Sequence, residues 1–384
     1  METSATRQAM YDQIVSQPAL VREVCDRAEP LIKQVLETCR TDRWRRIYTA
    51  GCGDSYYAGL ACEMAFAQFC RLPVKALPSM LFARYEVASL TEDAVVFGIS
   101  NSGAVARSIE AVAMANAAGA DTIAVTGRPD SPIAQEADTA IAVPIDAMGR
   151  SPGIRSYTVQ LLSLLLCAIE LGERLAVLSA EAAAAWRQQL REVASSIEAT
   201  IEANDAIIKQ LAETLRDQEN WVFVGAGPGY ATALFSAAKL VESCGANAWA
   251  QDLEEWAHIQ FFNRQERTPT CLIIPPGPSV ERAQELLPHV KEIGRYTLLV
   301  THQPQAFNAS HTDRILAIPQ AVPEIFSPLV DCIAGELLAY YLAAVWETAF
   351  FTATRRGVSA GGDRLRGSHI LRQLEDLDTL RTTE

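Results

Sequence analysis

Over the first forty residues, apolar side chains recur at spacings of three and four, as in MYDQIVSQPALVREVCDRAEPLIKQVLETC. That spacing gathers them on one face of a helix. Pro18 suits the first turn of a second helix, where its missing N–H is not needed. The pattern then changes. RRIYTAGCGDSYYAGLACEMAFAQF reads as a β-rich run, a Gly-rich turn and a helix. AVVFGISNSGAVARSIEAVAMANAAGA repeats that order, and DTIAVTGRPDSPIAQEADTAIAVP adds two strands around a short helical piece. Strands alternating with helices predict a parallel sheet covered on both faces. Residues 179–219 contain neither glycine nor proline and predict a long helical connector.

After the connector the pattern returns. NWVFVGAGPGYATALFSAAKLVE has the layout of the first strand–turn–helix, and TCLIIPPGPSVERAQELLPHVKEIGRYTLLVTH has that of the second. Gly225 stands where Gly51 does, and Gly277 where Gly103 does, at one constant offset. An internal duplication of one α/β unit is therefore expected. The expected fold class is α/β, with two doubly wound parallel-sheet (flavodoxin-like) subdomains in tandem. The boundaries are N-terminal helices 1–40, a first subdomain 41–178, the connector 179–219, a second subdomain 220–350 and a C-terminal tail 351–384.

Composition narrows the function classes. A chain of 384 residues, 49% hydrophobic and 21% charged, fits about two soluble globular domains. A net charge of -13 repels nucleic-acid phosphates and anionic membranes, so neither is an expected partner. The apolar run 161–178 is interrupted by Glu170, Glu173 and Arg174 and reads as a core helix. The polar N-terminus does not read as a signal peptide. Nine cysteines without CxxC pairs read as buried free thiols in a reducing, cytoplasmic compartment. No cluster has metal-ligand spacing, so no metal or other cofactor is expected.

The loops GCGDS and SNSG each follow a strand and open a helix. Such turns aim backbone N–H groups at an anion, and small hydroxyls add donors. Their equivalents in the second copy, GAGPG and PPGPS, carry prolines that cannot donate. Anion binding is thus expected in the first copy. VGAGPGYATA matches a dinucleotide fingerprint only superficially, because the repeat accounts for its glycines. The stretch LVESCGANAWAQDLEEWAHIQ, residues 240–260, concentrates carboxylates and one of only five histidines. By itself it is as consistent with a solvated acidic face as with an acid/base site.

These motifs carry a resemblance. From about Arg43 to about Trp346 the chain resembles double sugar-isomerase (SIS) domain proteins. It is similar to the isomerase half of glucosamine-6-phosphate synthase and to the fructosamine-6-phosphate deglycases. The motifs are GCGDSYYAG, SNSG and GIRSYTVQL in the first copy and ALFSAAKLVE…EEWAH in the second. The resemblance implies that Ser55, Ser100, Asn101 and Ser102 hold a phosphate, with Gly51, Cys52 and Gly53 shaping the first loop and Gly153 on the substrate side. Val105 stands where the family has a phosphate-binding threonine. Arg107 is the candidate to compensate, or the anion is a sulfonate or carboxylate. Glu242 matches the enolisation acid/base, His258 the ring-opening histidine and Glu255 a companion glutamate. The family's HGP is HIQ here, and its tail lysine is missing from GGDRLRGSHIL, where Ser368 or His369 is the candidate to reach the site. No glutaminase segment is seen, so glutamine-fed amination is not expected. The resemblance also implies a homodimer with shared active sites.

Moving a proton between C1 and C2 of a sugar through an enediol needs one carboxylate, best kept near neutrality by burial. Opening the ring needs a second group, and histidine titrates in the right range. The leading expectation is therefore an aldose–ketose isomerase for an anionic, phosphorylated or sulfonated hexose derivative. The alternatives are a ketosamine-phosphate deglycase or amino-sugar-phosphate deaminase, and a non-catalytic sugar-phosphate sensor. Asp252 and Glu254 are read as surface or helix-start charges, and His289, His302 and His311 receive no role.

Overall fold

The structure, a computed structural model, describes residues 2–351. Two helices open the chain, α1 (Glu2–Val15) and α2 (Gln17–Glu37), with Pro18 in the first turn of the second. The chain divides into two compact units. One contains residues 20–146 and 156–191; the other contains 1–19, 147–155 and the described chain from Glu192 onward.

In the first sheet-bearing unit, β1 (Arg46–Gly51), β2 (Val74–Pro78), β3 (Ala94–Ile99), β4 (Asp121–Thr126) and β5 (Thr139–Ala142) form one parallel sheet ordered β2–β1–β3–β4–β5. The register sets Thr49 beside Ala76 on one side and Phe97 on the other. The connecting helices are α3 (Asp54–Cys70), the short α4 (Ser79–Leu81), α5 (Ala106–Ala117) and α6 (Pro132–Glu136), followed by α7 (Arg155–Arg174). Every residue of β3 is buried, as a strand covered on both faces requires. The expected connector is the helix α8 (Ala180–Thr214).

The second sheet uses β6 (Asn220–Gly225), β7 (Asn247–Asp252), β8 (Pro269–Ile274), β9 (Tyr296–Thr301) and β10 (Arg314–Ala317), ordered β10–β9–β8–β6–β7. Read from β7, this is the strand order of the first sheet. Its helices are α9 (Pro228–Cys244), α10 (Leu253–His258), α11 (Ser279–Glu292) and α12 (Pro328–Val345). The repeat is metrical: one offset carries both ends of β1 and α3 onto β6 and α9. It extends to the backbone. Gly53 has φ 55° and ψ -127°, and Gly227 has φ 52° and ψ -129°. Both lie in a region that only glycine enters cheaply. The order second–first–third–fourth–fifth is the flavodoxin-like winding.

The nine cysteines are all free, but the reading of them as buried needs correction: Cys39 and Cys52 are only partly buried. Among the described residues one helix, α12, is long and apolar enough to cross a membrane, yet most of it is buried in its own unit.

That helix also corrects the reading of His302. Its Nε2 lies 2.8 Å from Asp331 Oδ1, and both side chains are 1% exposed. Burial alone would lower the pKa of His302. The Asp331 charge and hydrogen bond, with the Gln320 backbone, outweigh it and hold the imidazole above its ordinary value. A raised folded-state pKa contributes stability that is complete below about pH 6.5, the unfolded value, and is lost as pH rises through the folded value. Asp331→Asn should therefore destabilise the fold by about 3 kcal/mol at low pH. In chemical denaturation, the gap to the parent should be wider at about pH 6 than at about pH 9; an equal gap at both would show that the pair does not titrate as described.

Candidate functional site

In a sheet ordered β2–β1–β3–β4–β5, the winding reverses between β1 and β3, and ligands bind at the carboxyl ends of strands at such a point. The two serine loops lie there, one after each strand. The helices they open lack a side-chain cap: the N-cap of α3 is Gly53, and that of α5 is Val105, with φ -75° and ψ 113°. Helix-start N–H groups need an acceptor from somewhere. Neither N-cap residue supplies a capping oxygen, an arrangement compatible with an anion at a helix start. Gly51 permits the tight turn, because a Cβ there would lie 2.5 Å from the Ser55 carbonyl carbon.

The hydroxyls are set in different ways. Ser55 Oγ, buried, accepts a hydrogen bond from Gln160 Nε2 at 3.0 Å. With that lone pair used, its own proton is available to donate. Ser100 is 2% exposed, and its Oγ has no partner among the described residues. Ser102 is exposed and accepts from the Ala104 N–H at 3.3 Å. Asn101 contributes its backbone carbonyl to Gly127 N–H at 3.0 Å. Ser108 Oγ lies 3.8 Å from Cys52 Sγ and 3.1 Å from Ser79 Oγ, tying the first loop to α5 and to the end of β2. Arg107 does not stand alone as a substitute for the missing threonine. Its guanidinium binds Glu110, a wholly buried carboxylate that also takes Arg84 at 3.1 Å. Two guanidiniums thus share one buried carboxylate. Gly153 belongs to the other compact unit, in the bend before α7.

In that other unit, Glu242 sits near the end of α9 with its side chain 32% exposed, so its burial is partial. Its partner is Lys239, whose ammonium is 2.6 Å away, wholly buried, and 4.9 Å from the centre of the Phe235 ring. A buried ammonium is costly unless paired, so this pair fixes the carboxylate on the helix face. His258 ends α10 with its side chain 66% exposed and lies 3.3 Å from Glu254, which also binds Arg282. Asp252 is the N-cap of α10, accepting from Glu254 and Glu255 N–H, which is the helix-start role expected of that acidic cluster. Glu255 is exposed in the first turn. Among the described residues no hydrogen bond joins Glu242 to His258. Ser368 and His369 lie outside the described residues.

The second copy's equivalent of the serine cradle is occupied by the chain itself. A Cβ on Gly277 would lie 2.3 Å from Glu324 Oε2, and one on Gly227 would lie 4.0 Å from Oε1. Burial raises the pKa of this carboxylate. With prolines in both loops and a carboxylate in place, anion binding is disfavoured there, as the sequence suggests.

Two polar residues at these positions escape the sequence reading. Lys239 looks like any surface lysine, though its spacing of three from Glu242 on an apolar helix is a usable signal. Gln160 lies inside GIRSYTVQL, but only the fold brings it to Ser55.

Comparison with known proteins follows the same division. Residues 42–170 match the SIS domain. Over 338 residues the chain is 26% identical to a glutamine–fructose-6-phosphate aminotransferase (isomerizing) of Thermococcus kodakarensis, covering 88% of this chain and 55% of that protein. The chain thus spans about half the length of the curated relatives it matches. Among solved structures, the C-terminal domain of glucosamine-fructose-6-phosphate aminotransferase from Francisella tularensis superposes with a TM-score of 0.79 at 20% identity, over 89% of this chain and 97% of that one. A candidate tagatose-6-phosphate ketose/aldose isomerase from Clostridium novyi gives 0.78 at 15% identity, over 96% of each. At such identities the structures establish the fold: two five-stranded parallel sheets matching tandem SIS domains.

Gln160→Ala removes the donor that orients the Ser55 hydroxyl. Binding of fructose 6-phosphate, measured by calorimetry, should weaken about fivefold to tenfold, the worth of one buried hydrogen bond. Unchanged affinity would remove Gln160 from the cradle.

Proposed function

We propose that the protein is an aldose–ketose isomerase for a phosphorylated or otherwise anionic hexose derivative, working through an enediol. The observation that carries this reading is the Lys239–Glu242 pair: a half-exposed carboxylate beside a wholly buried ammonium, on a helix otherwise built for packing. In this reading Ser55, Ser100, Asn101 and Ser102 hold the anion, with the uncapped starts of α3 and α5 behind them. Gly51, Cys52 and Gly53 keep the first loop open to it, while Arg107, Gly153 and Glu255 serve the sugar's surroundings. Glu242 takes the proton from one carbon and returns it to the next. Lys239 holds the carboxylate in place and favours negative charge developing on the enediol oxygens. His258, exposed and beside Glu254, opens the ring. The similarity to proteins named as isomerizing aminotransferases and as a ketose/aldose isomerase supports the reaction class.

A homodimer with shared sites is part of the proposal. It is supported by the exposure of His258 and of the adjoining apolar Ile259 and Phe262, a set of side chains that a second copy would cover.

Incubated with fructose 6-phosphate in D2O, the protein should wash deuterium into C1 and release an aldose. Glu242→Gln should lower that exchange at least about a thousandfold while sparing binding. Exchange retained by the variant would sink the assignment of Glu242, and amine release from a ketosamine phosphate would favour the deglycase instead. Mixing Glu242→Gln chains with His258→Asn chains tests the shared site. Hybrid dimers carry both changes in one site and none in the other, so activity should return. No recovery after verified subunit exchange would overturn the shared arrangement.

A further inference from the structure

The chain that follows His258 is held in part by its own bonds: Asn263 Oδ1 accepts from the Gln265 N–H at 3.0 Å, and Thr268 Oγ donates to the Gln265 carbonyl at 3.2 Å. Residues 259–268, IQFFNRQERT, contain no glycine and no proline. Ile259 turns the backbone with φ -125° and ψ -62°, Gln260–Phe262 make one 3-10 turn, and an irregular stretch then runs to β8. Two aromatic contacts steady it, Trp256 with Phe261 and Phe261 with Phe262, at ring separations of 6.2 and 5.4 Å.

A further restraint comes from a residue far along the sequence. Arg295, just before β9, is 3% exposed. One guanidinium nitrogen donates to the carbonyls of Gln260 at 3.2 Å and Asn263 at 2.6 Å; another donates to the carbonyl of Gln265. The backbone closes the same loop, with Arg267 N–H donating to the Gly294 carbonyl at 2.8 Å. Among the described residues no carboxylate pairs with Arg295, and burial lowers its pKa. A cation held in the interior by carbonyl oxygens alone is expensive, so its three acceptors must be well placed to offset that cost. Only the rigid fork of arginine reaches three carbonyls on one strap; a lysine would present a single nitrogen.

We propose that Arg295 is a positioning residue. It binds the 260–265 strap and so sets the direction in which His258 leaves the end of α10. The same grip holds Ile259 and Phe262 at the surface beside that imidazole, although both are large and apolar. This rests on the reading of His258 as the ring-opening group. Its mechanical half does not depend on that reading and has its own readouts.

The test uses Arg295→Met and Arg295→Lys in the full chain. The His258 ring resonances, identified by their loss in His258→Asn, should shift and broaden in Arg295→Met, with an altered titration midpoint. Trypsin should cut after the exposed Arg264 and Arg267 at least about tenfold faster, as expected for a released segment. Deuterium wash-in should fall about tenfold to a hundredfold in kcat with KM little changed, the effect of a misplaced group. Arg295→Lys should lie between the two, and it also serves where the methionine variant does not fold. His258 signals and trypsin nicking identical to the parent in the folded variants would overturn the proposal. If His258→Asn itself turned over normally, the functional reading would fail, while the resonance and nicking results would still decide whether Arg295 holds the strap.

Discussion

The starts of α3 and α5 lack a side-chain acceptor, and much of the first sheet is arranged around that fact. A helix start turns outward several N–H groups that no intrahelical carbonyl can satisfy. Most helices answer with a serine, threonine or aspartate. These two put a glycine and a valine there instead. Parallel pairing of β1 with β3 then sets both starts side by side, at the point where the winding reverses. Ser100 adds a buried hydroxyl without a partner among the described residues, and Gln160 takes a lone pair of Ser55 so that its proton faces elsewhere. The result is a set of donors gathered at one end of the first sheet, in a protein whose net charge is strongly negative. Local dipoles and hydroxyls, not net charge, decide what such a surface receives.

The second unit handles charge in the opposite way, by burying cations. Lys239 is buried on α9, its ammonium 2.6 Å from Glu242 and over the Phe235 ring. Arg295 directs its donors at three backbone carbonyls. His302 is sealed against Asp331 inside the core beside α12. Each of these groups would be unstable alone in the interior, and each is made tolerable by well-placed partners. Interior charges of this kind cannot shift without leaving something unpaired, so the elements they join keep a single arrangement.

The pattern of apolar positions was enough to read the duplication, the alternation of strand and helix, and the serine loops. Those features are local: a glycine between a β-rich run and a helix announces itself within a few residues. Asp252 is legible for the same reason, since its acceptor role is completed two and three residues later. What the sequence hides depends on distance or on backbone partners. His302 and Asp331 are 29 positions apart, and no periodicity links them. Gln160 and Ser55 are 105 apart. The acceptors of Arg295 are carbonyls, which every residue type carries equally, so no composition rule points to them. Lys239 is hidden by its own chemistry, because a lysine between apolar residues reads as a solvated face until the packing is seen.

Glu324 gives the duplication a direction. Two copies of one frame begin with the same glycine geometry, and in the second a carboxylate from a later turn has come to rest against Gly277 and near Gly227. A tethered group is present at a high local concentration and cannot be diluted away, so a free anion competes with it poorly. The twin frame is thus held in a filled-like state, a fixed framework. Under the proposed function, an anion finds an open cradle in the first copy alone, which gives the duplicated chain a built-in polarity of response.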